Sequence, residues 1–198
     1  MKDYFVSLTP EEDFKKLVKQ SKRNIYEQFG KQEYLSEPPH ITLFILSTER
    51  EQEVLREIED ISKNLKKMNI GLEKIKVFQK DPRTGKNTIV YPIEKTLLIK
   101  LQSEVMLRLN KFNTGRFISK NMRKFSKEEI RNIENYKYPF IGDSWIPHIT
   151  ICSIEDQITK KTLDILNKNP LKEKVTLDSL DLYEISDKLK LIRRFKLI

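Results

Sequence analysis

The chain holds only two histidines, and both sit in the same four-residue context: Pro39-His40-Ile41-Thr42 and Pro147-His148-Ile149-Thr150. With this composition, a histidine meets those three neighbours by chance on the order of once in a few thousand sites. An imidazole, with an unperturbed pKa of about 6.5, gives or takes a proton near neutral pH. A neighbouring hydroxyl can hydrogen-bond a phosphate oxygen. In a strand, alternate side chains share a face, so His40 and Thr42 project together while Ile41 and Leu43 project the other way. The same parity puts His148, Thr150 and Cys152 on one face, and Ile149 and Ile151 on the other. Two such units across a cleft would supply a base, an acid and a phosphate clamp, which is what phosphodiester cleavage requires.

Plainer explanations compete. A lone histidine among apolar residues is usually a satisfied core group, but that account weakens when both histidines share one signature. Two histidines with one cysteine nearby make a thin metal-ligand set, and no HExxH or CxxC spacing occurs, so no metal and no cofactor are expected. Tyr138 and Trp145, with Phe140, sit just before the second motif and could stack a nucleobase; core packing is the competing role. Cys152 reads as a small buried hydrophobe. Lys120, Arg123, Lys124, Lys127 and Arg131 could form an electrostatic approach surface or a solvated helix face, and Arg193, Arg194 and Lys196 divide the same way.

The elements that position the motifs are legible in outline. Residues 3–8 read as a strand. Thr9-Pro10-Glu11-Glu12 looks like a helix start capped by Thr9, with Gly30 as the stop. Pro38-Pro39 breaks the chain before an apolar strand, His40 to Leu46. Thr48 and Glu51 suggest a second capping box, opening a helix that carries Val54, Leu55, Ile58 and Ile61 on one side. Strand-like segments follow at about 72–79 and 87–93, joined by the turn-rich Asp81-Pro82-Arg83-Thr84-Gly85. Thr96 to Leu101 reads as a further strand before a helix stopped by Thr114-Gly115. A Ser126/Glu129 capping box opens a short helix. After the second apolar strand, His148 to Ile154, come a helix at about 155–168 and a closing hairpin, Val175 to Ile185 and Lys188 to Leu197. The strand-then-helix order after each histidine suggests two related halves, each offering one motif to a shared cleft.

Composition narrows the partners. A formal charge of +9 favours anionic ligands, although lysine-rich composition alone can produce it. Hydrophobic content of 38% describes a soluble globular chain. No apolar run approaches the ~20 residues of a membrane span. The N-terminus lacks a signal-peptide core, and one cysteine cannot form an internal disulfide, so the cytoplasm is the expected compartment.

The paired His-x-Thr strands, 108 positions apart in a basic chain of this length, resemble the 2H phosphoesterase superfamily of LigT-like 2′-5′ RNA ligases and cyclic phosphodiesterases. The resemblance spans nearly the whole chain. It implies an α+β fold, a single two-lobed domain over residues 1–198 with two antiparallel sheets and flanking helices around a central cleft. It further implies His40 and His148 as the acid/base pair and Thr42 and Thr150 as phosphate-binding hydroxyls. The implied activity is metal-independent phosphodiester chemistry on a 2′,3′-cyclic phosphate, a 2′-5′ linkage or a small cyclic nucleotide, by a monomer whose partner is RNA or a nucleotide. One departure bears on the substrate. Many LigT-like members follow the second motif with an apolar residue, a small one and an arginine, whereas Thr150 is followed by Ile151-Cys152-Ser153. An RNA- or nucleotide-binding protein with the same fold and no useful turnover is the alternative.

Overall fold

The structure, a computed structural model, describes residues 1–81, 83–115 and 125–198. Through these residues run β1 (Lys2–Pro10), α1 (Glu12–Phe29), β2 (Ile41–Thr48), α2 (Glu51–Ser62), β3 (Met68–Gly71), β4 (Lys76–Phe78) and β5 (Asn87–Pro92). After them come α3 (Ile99–Leu109), α4 (Lys127–Tyr136), β6 (His148–Ile154), α5 (Asp156–Lys168), β7 (Lys174–Ile185) and β8 (Lys190–Lys196). They build two antiparallel sheets, one of five strands in the order β2-β1-β7-β3 with β8 also on β7, the other of three in the order β4-β5-β6.

The helices do not simply cover the sheet they follow. α1 leaves the large sheet, buries Phe14, Val18 and Ile25 at helical spacing, and packs on β6 and α5 beside the small sheet. α3 leaves the small sheet and packs on β2 of the large one. Each lobe is therefore completed by a helix whose preceding strand belongs to the other. One core results, running from Tyr4, Val6 and Leu8 through Leu43 and Val105 to Ile149 and Ile154.

Several expected elements are corrected. Thr9 caps nothing: it lies inside β1, paired on one side with β7, and its hydroxyl donates to Asp181 Oδ2 at 2.8 Å. Glu11 precedes α1 instead, without a side-chain cap. The Thr48/Glu51 box does not form, because Glu51 accepts from the Tyr4 hydroxyl at 2.8 Å. Segment 72–79 is not one strand. The pairing with β7 is made just before it, by β3, and only Lys76–Phe78 within it pair with β5, as β4. Residues 96–98 form a turn and 99–101 open α3, where Leu101, Val105 and Leu109 are buried, with Leu98 buried just before them. The Ser126/Glu129 box forms in full, with both reciprocal bonds. No helix among the described residues is long and apolar enough to cross a membrane.

Opposite the helices, the large sheet carries a polar row across four strands: Thr42, Ser7, Asp181 and Arg194 are successive cross-strand partners. Asp181 is wholly buried and accepts from Thr9 and from both Nε and Nη2 of Arg194. This planar two-point pairing is what a guanidinium offers a carboxylate.

Candidate active site

Each histidine stands at the entrance of a strand, held by the proline before it. Proline pushes its predecessor toward extended backbone, so Pro38-Pro39 and Pro147 deliver the chain straight into β2 and β6. His40 Nδ1 lies 2.7 Å from the carbonyl of Pro38, and His148 Nδ1 lies 2.7 Å from that of Ile146. A carbonyl only accepts, so both Nδ1 atoms carry the proton and both Nε2 atoms keep a lone pair. Two residues 108 positions apart thus share one tautomer, set by one local device.

The strands themselves repeat an irregularity. β2 ends the large sheet, with Thr42 opposite Ser7 and Phe44 opposite Val6, so Leu43 has no partner in β1. β6 has Thr150 opposite Val90 and Cys152 opposite Ile89, so Ile151 has no partner in β5. Each motif threonine is therefore followed by a one-residue bulge, which bends the strand and reverses its facing. Strict alternation fails at that point. Cys152 does not share the face of His148 and Thr150 but sits in the core beside Ile89, its thiol pushed up to about 12 by burial.

The two strands approach each other, and the segment before the second motif stitches them. Trp145 Nε1 donates to the Thr42 carbonyl at 3.1 Å. Gln102, fully buried, donates to the carbonyls of Leu43 and Phe140 while accepting from Gly142 N. Trp145 and Tyr138 are only 3% and 6% exposed, and Tyr138 meets Phe44 edge-on at 5.8 Å. The expected base-stacking role is corrected: both rings are spent on packing and present no open face, and Trp145 braces the first motif from the second. Phe140 is more exposed and stands edge-on to Tyr138.

Aromatic neighbours that the sequence did not single out surround the imidazoles. The Phe5 ring lies 4.8 Å from His40 and stacks on Tyr183, and Phe78 meets His148 edge-on at 5.1 Å. Phe5 and Tyr183 are cross-strand partners, a relation that period-two patterning cannot reveal before pairing is known. The half-buried setting disfavours the charged imidazole. His40 is pushed down to about 4 by desolvation, opposed by its bond to Pro38 and reinforced by Lys22, His148 and Arg83. His148 is also lowered by desolvation, opposed by its bond to Ile146 and by Asp81. The His148 imidazole is among the charges that lower His40, the strands β2 and β6 contact each other, and Thr42 and Thr150 are half-buried on those strands. Among the described residues no three His, Cys, Asp or Glu side chains cluster as a metal site.

A histidine whose folded pKa lies below its unfolded value costs stability when protonated. Above about pH 6.5 both states are neutral; as pH falls toward 4 the unfolded chain takes up the proton first, and stability drops. His40 alone is expected to remove on the order of 2–3 kcal/mol between pH 6.5 and 4. Urea midpoints of wild type and His40→Asn over that window test this; equal pH slopes would refute the burial of a neutral imidazole.

A model of the 2′-5′ RNA ligase superfamily matches residues 10–189. The chain belongs to that superfamily. Its fold is similar to that of TT0787 of Thermus thermophilus, at 14% identity and a TM-score of 0.60, covering 98% of this chain and 97% of that one. Escherichia coli LigT, solved in complex with 3′-AMP, matches at 13% identity and a TM-score of 0.58 over 99% of this chain and 98% of that one. A crystal structure described as a phosphoesterase matches at 12% identity and a TM-score of 0.58 over all of this chain and 99% of that one. No curated protein matches significantly. Within this superfamily member, Lys127 and Arg131 are exposed on α4, whereas Lys120, Arg123 and Lys124 lie outside the described residues. Arg194 and Lys196 are engaged with Asp181 and Asp178, and Arg193 lies over the Phe195 ring.

Proposed function

We propose that this chain is a metal-independent phosphodiesterase acting on an RNA-type nucleotide: a 2′,3′-cyclic phosphate, a 2′-5′ linkage or a small cyclic nucleotide. The observation that carries the proposal is the matched pair of imidazoles, each fixed through Nδ1 by its own backbone and each left with a basic Nε2. One Nε2 takes the proton from the attacking water or ribose hydroxyl, and the other, protonated, gives its proton to the leaving ribose oxygen. Thr42 and Thr150 donate to the phosphate oxygens as charge develops on them. The acid and base exchange roles in the reverse direction, so hydrolysis and ligation use one arrangement. Superfamily membership and the capture of 3′-AMP by LigT support a nucleotide substrate.

Purified protein incubated with cyclic, 2′-5′ and 3′-5′ nucleotides in excess EDTA tests this, with products followed by mass spectrometry. Turnover is expected on at least one ribose-adjacent phosphodiester, at a rate unchanged by chelator. Activity lost to EDTA and restored by a divalent ion would overturn the mechanism. Nucleotide binding without any product would favour the binding-protein alternative.

A further inference from the structure

The two motif histidines are held alike, but the chain that delivers them is not. Residues 30–40 join α1 to β2 through turns and a single β-bridge, in which Ser153 N donates to the Glu33 carbonyl at 3.0 Å. Ser153 lies in β6, three residues past Thr150, so the connection rests on the strand of the second motif. From there it reaches His40 through Pro38-Pro39, and prolines have no N–H to donate. Over those two residues the backbone is hydrogen-bonded only through what its carbonyls accept.

Lys22 supplies a donor to this connection. Its side chain follows Phe14 and Val18 along the buried face of α1 and is 4% exposed. Its Nζ donates to the carbonyl of Tyr34 at 2.7 Å and to that of Glu37 at 2.8 Å. The Tyr34 carbonyl also accepts from Glu37 N at 3.2 Å, closing a turn, and Glu37 holds the last carbonyl before the prolines. An ammonium taken out of water against neutral carbonyls is costly. Burial accordingly pushes Lys22 down to about 8, opposed through space by Glu37 and Cys152. An apolar side chain would pack α1 on the connection without that cost, so packing alone does not account for a lysine here.

From the Glu37 carbonyl to the first imidazole the path is short and stiff. The Glu37–Pro38 peptide is planar, the Pro38 ring locks φ, and Pro39 after it confines the Pro38 ψ to the extended range. The orientation of the Pro38 carbonyl therefore follows that of Glu37. That Pro38 carbonyl is the acceptor 2.7 Å from His40 Nδ1. We propose that Lys22 is a positioning residue for His40: by fixing the Glu37 carbonyl it fixes the Pro38 carbonyl, and so keeps the proton on Nδ1 and the lone pair on Nε2. The use of that lone pair rests on the phosphodiesterase reading; the tautomer does not. At the second motif the corresponding tie is a backbone one, from Ile93 N to the Pro147 carbonyl at 2.9 Å, so the lysine acts on one imidazole of the two.

Long-range proton–nitrogen correlation NMR of the two imidazoles, near neutral pH where burial favours their uncharged form, reads the tautomers directly. Free neutral histidine prefers its proton on Nε2, so a released ring moves away from the held form. Lys22→Met keeps most of the stem and removes the donors. It is expected to shift His40 toward the Nε2–H form and to leave His148, the reference within the same molecule, as in the wild type. Pro38→Ala frees φ and removes no buried donor. It should shift His40 in the same direction, and it carries the test if Lys22→Met does not fold. Lys22→Arg, whose fork offers donors to both carbonyls, should restore part of the Nδ1–H form. Lys19→Met, exposed on the same helix, should change neither ring. On whichever nucleotide is turned over, kcat of Lys22→Met should fall roughly 10- to 100-fold with KM little changed, the signature of a misplaced catalytic group. A wild type already in the Nε2–H form at His40, a folded Lys22→Met with the wild-type tautomer, equal shifts at both histidines, or no shift in Pro38→Ala would each overturn the proposal. The two readings can fail separately. Turnover abolished by His40→Ala, with the His40 tautomer untouched in Lys22→Met, removes the role of Lys22 alone. A tautomer shift in Lys22→Met, in a protein that turns over nothing, removes the phosphodiesterase reading alone.

Discussion

Replacing either His40 or His148 by alanine is expected to lower kcat by roughly 10²–10⁴ on a turned-over nucleotide, the usual worth of one positioned acid or base. The double variant should be little worse than the poorer single one, because removing either member already disables a unit that needs both. The pH–rate profile of the wild type should be bell-shaped, with limbs that belong to the coupled pair. Both imidazoles are lowered by desolvation, so the empty protein favours their neutral, basic form. Substrate must restore the acid, since a bound phosphate monoanion favours an imidazolium beside it. The acidic limb of kcat is accordingly expected to lie above that of the histidines in the empty protein. Circular dichroism must show the variants folded. A folded His40→Ala or His148→Ala with wild-type kcat would exclude the two-histidine mechanism.

Asp181→Ala is expected to be strongly destabilising although it lies outside the motifs, at about 2–4 kcal/mol of stability. The carboxylate has no exposure, and three groups depend on it: the Thr9 hydroxyl and two nitrogens of Arg194. Truncation leaves Arg194 unneutralised and the buried Thr9 hydroxyl without its acceptor. Arg194 is 31% exposed on its side chain, so water recovers part of the loss and keeps the effect below that of a fully buried pair. Asp181→Asn should cost less, because the amide oxygen still accepts from Thr9. Urea denaturation of the three proteins tests the order; a shift under about 0.5 kcal/mol for Asp181→Ala would show that the polar row contributes nothing net.

The motifs were legible because a repeated tetrapeptide survives any uncertainty about pairing, and strand parity alone set His40 beside Thr42. Elements with long periodic faces were legible too: α1, α2 and the closing hairpin lie where periodicity places them. The failures have one physical source, the partner across the sheet or core. Thr9 carries a good capping side chain, but β7 pairs with its backbone and Asp181 accepts its hydroxyl. Leu97-Leu98-Ile99 is a short apolar run, equally at home in a strand or at the start of a buried helix, and packing on β2 decided for the helix. Tyr138 and Trp145 looked like a stacking platform because an aromatic near a motif looks the same whether it faces solvent or core. Asp81 was visible only as a turn residue, since nothing local shows that its carboxylate will accept from the Thr88 hydroxyl.

The bulges at Leu43 and Ile151 constrain how this chain can change. Side-chain identity is evidently cheap, since proteins sharing its fold retain only 12–14% of its residues. Length at these two points is another matter. Deleting Leu43 would leave Thr42 opposite Ser7 and Phe44 opposite Val6 in an unbroken ladder, so the strand would keep its facings and lose its bend; deleting Ile151 would straighten β6 in the same way. A lineage can rewrite nearly every letter by single steps, yet the bend after each motif threonine survives only while one extra residue stands at each place. The positions that would be most informative in a comparison of relatives are thus two plain aliphatic residues, read for their presence and not for their type.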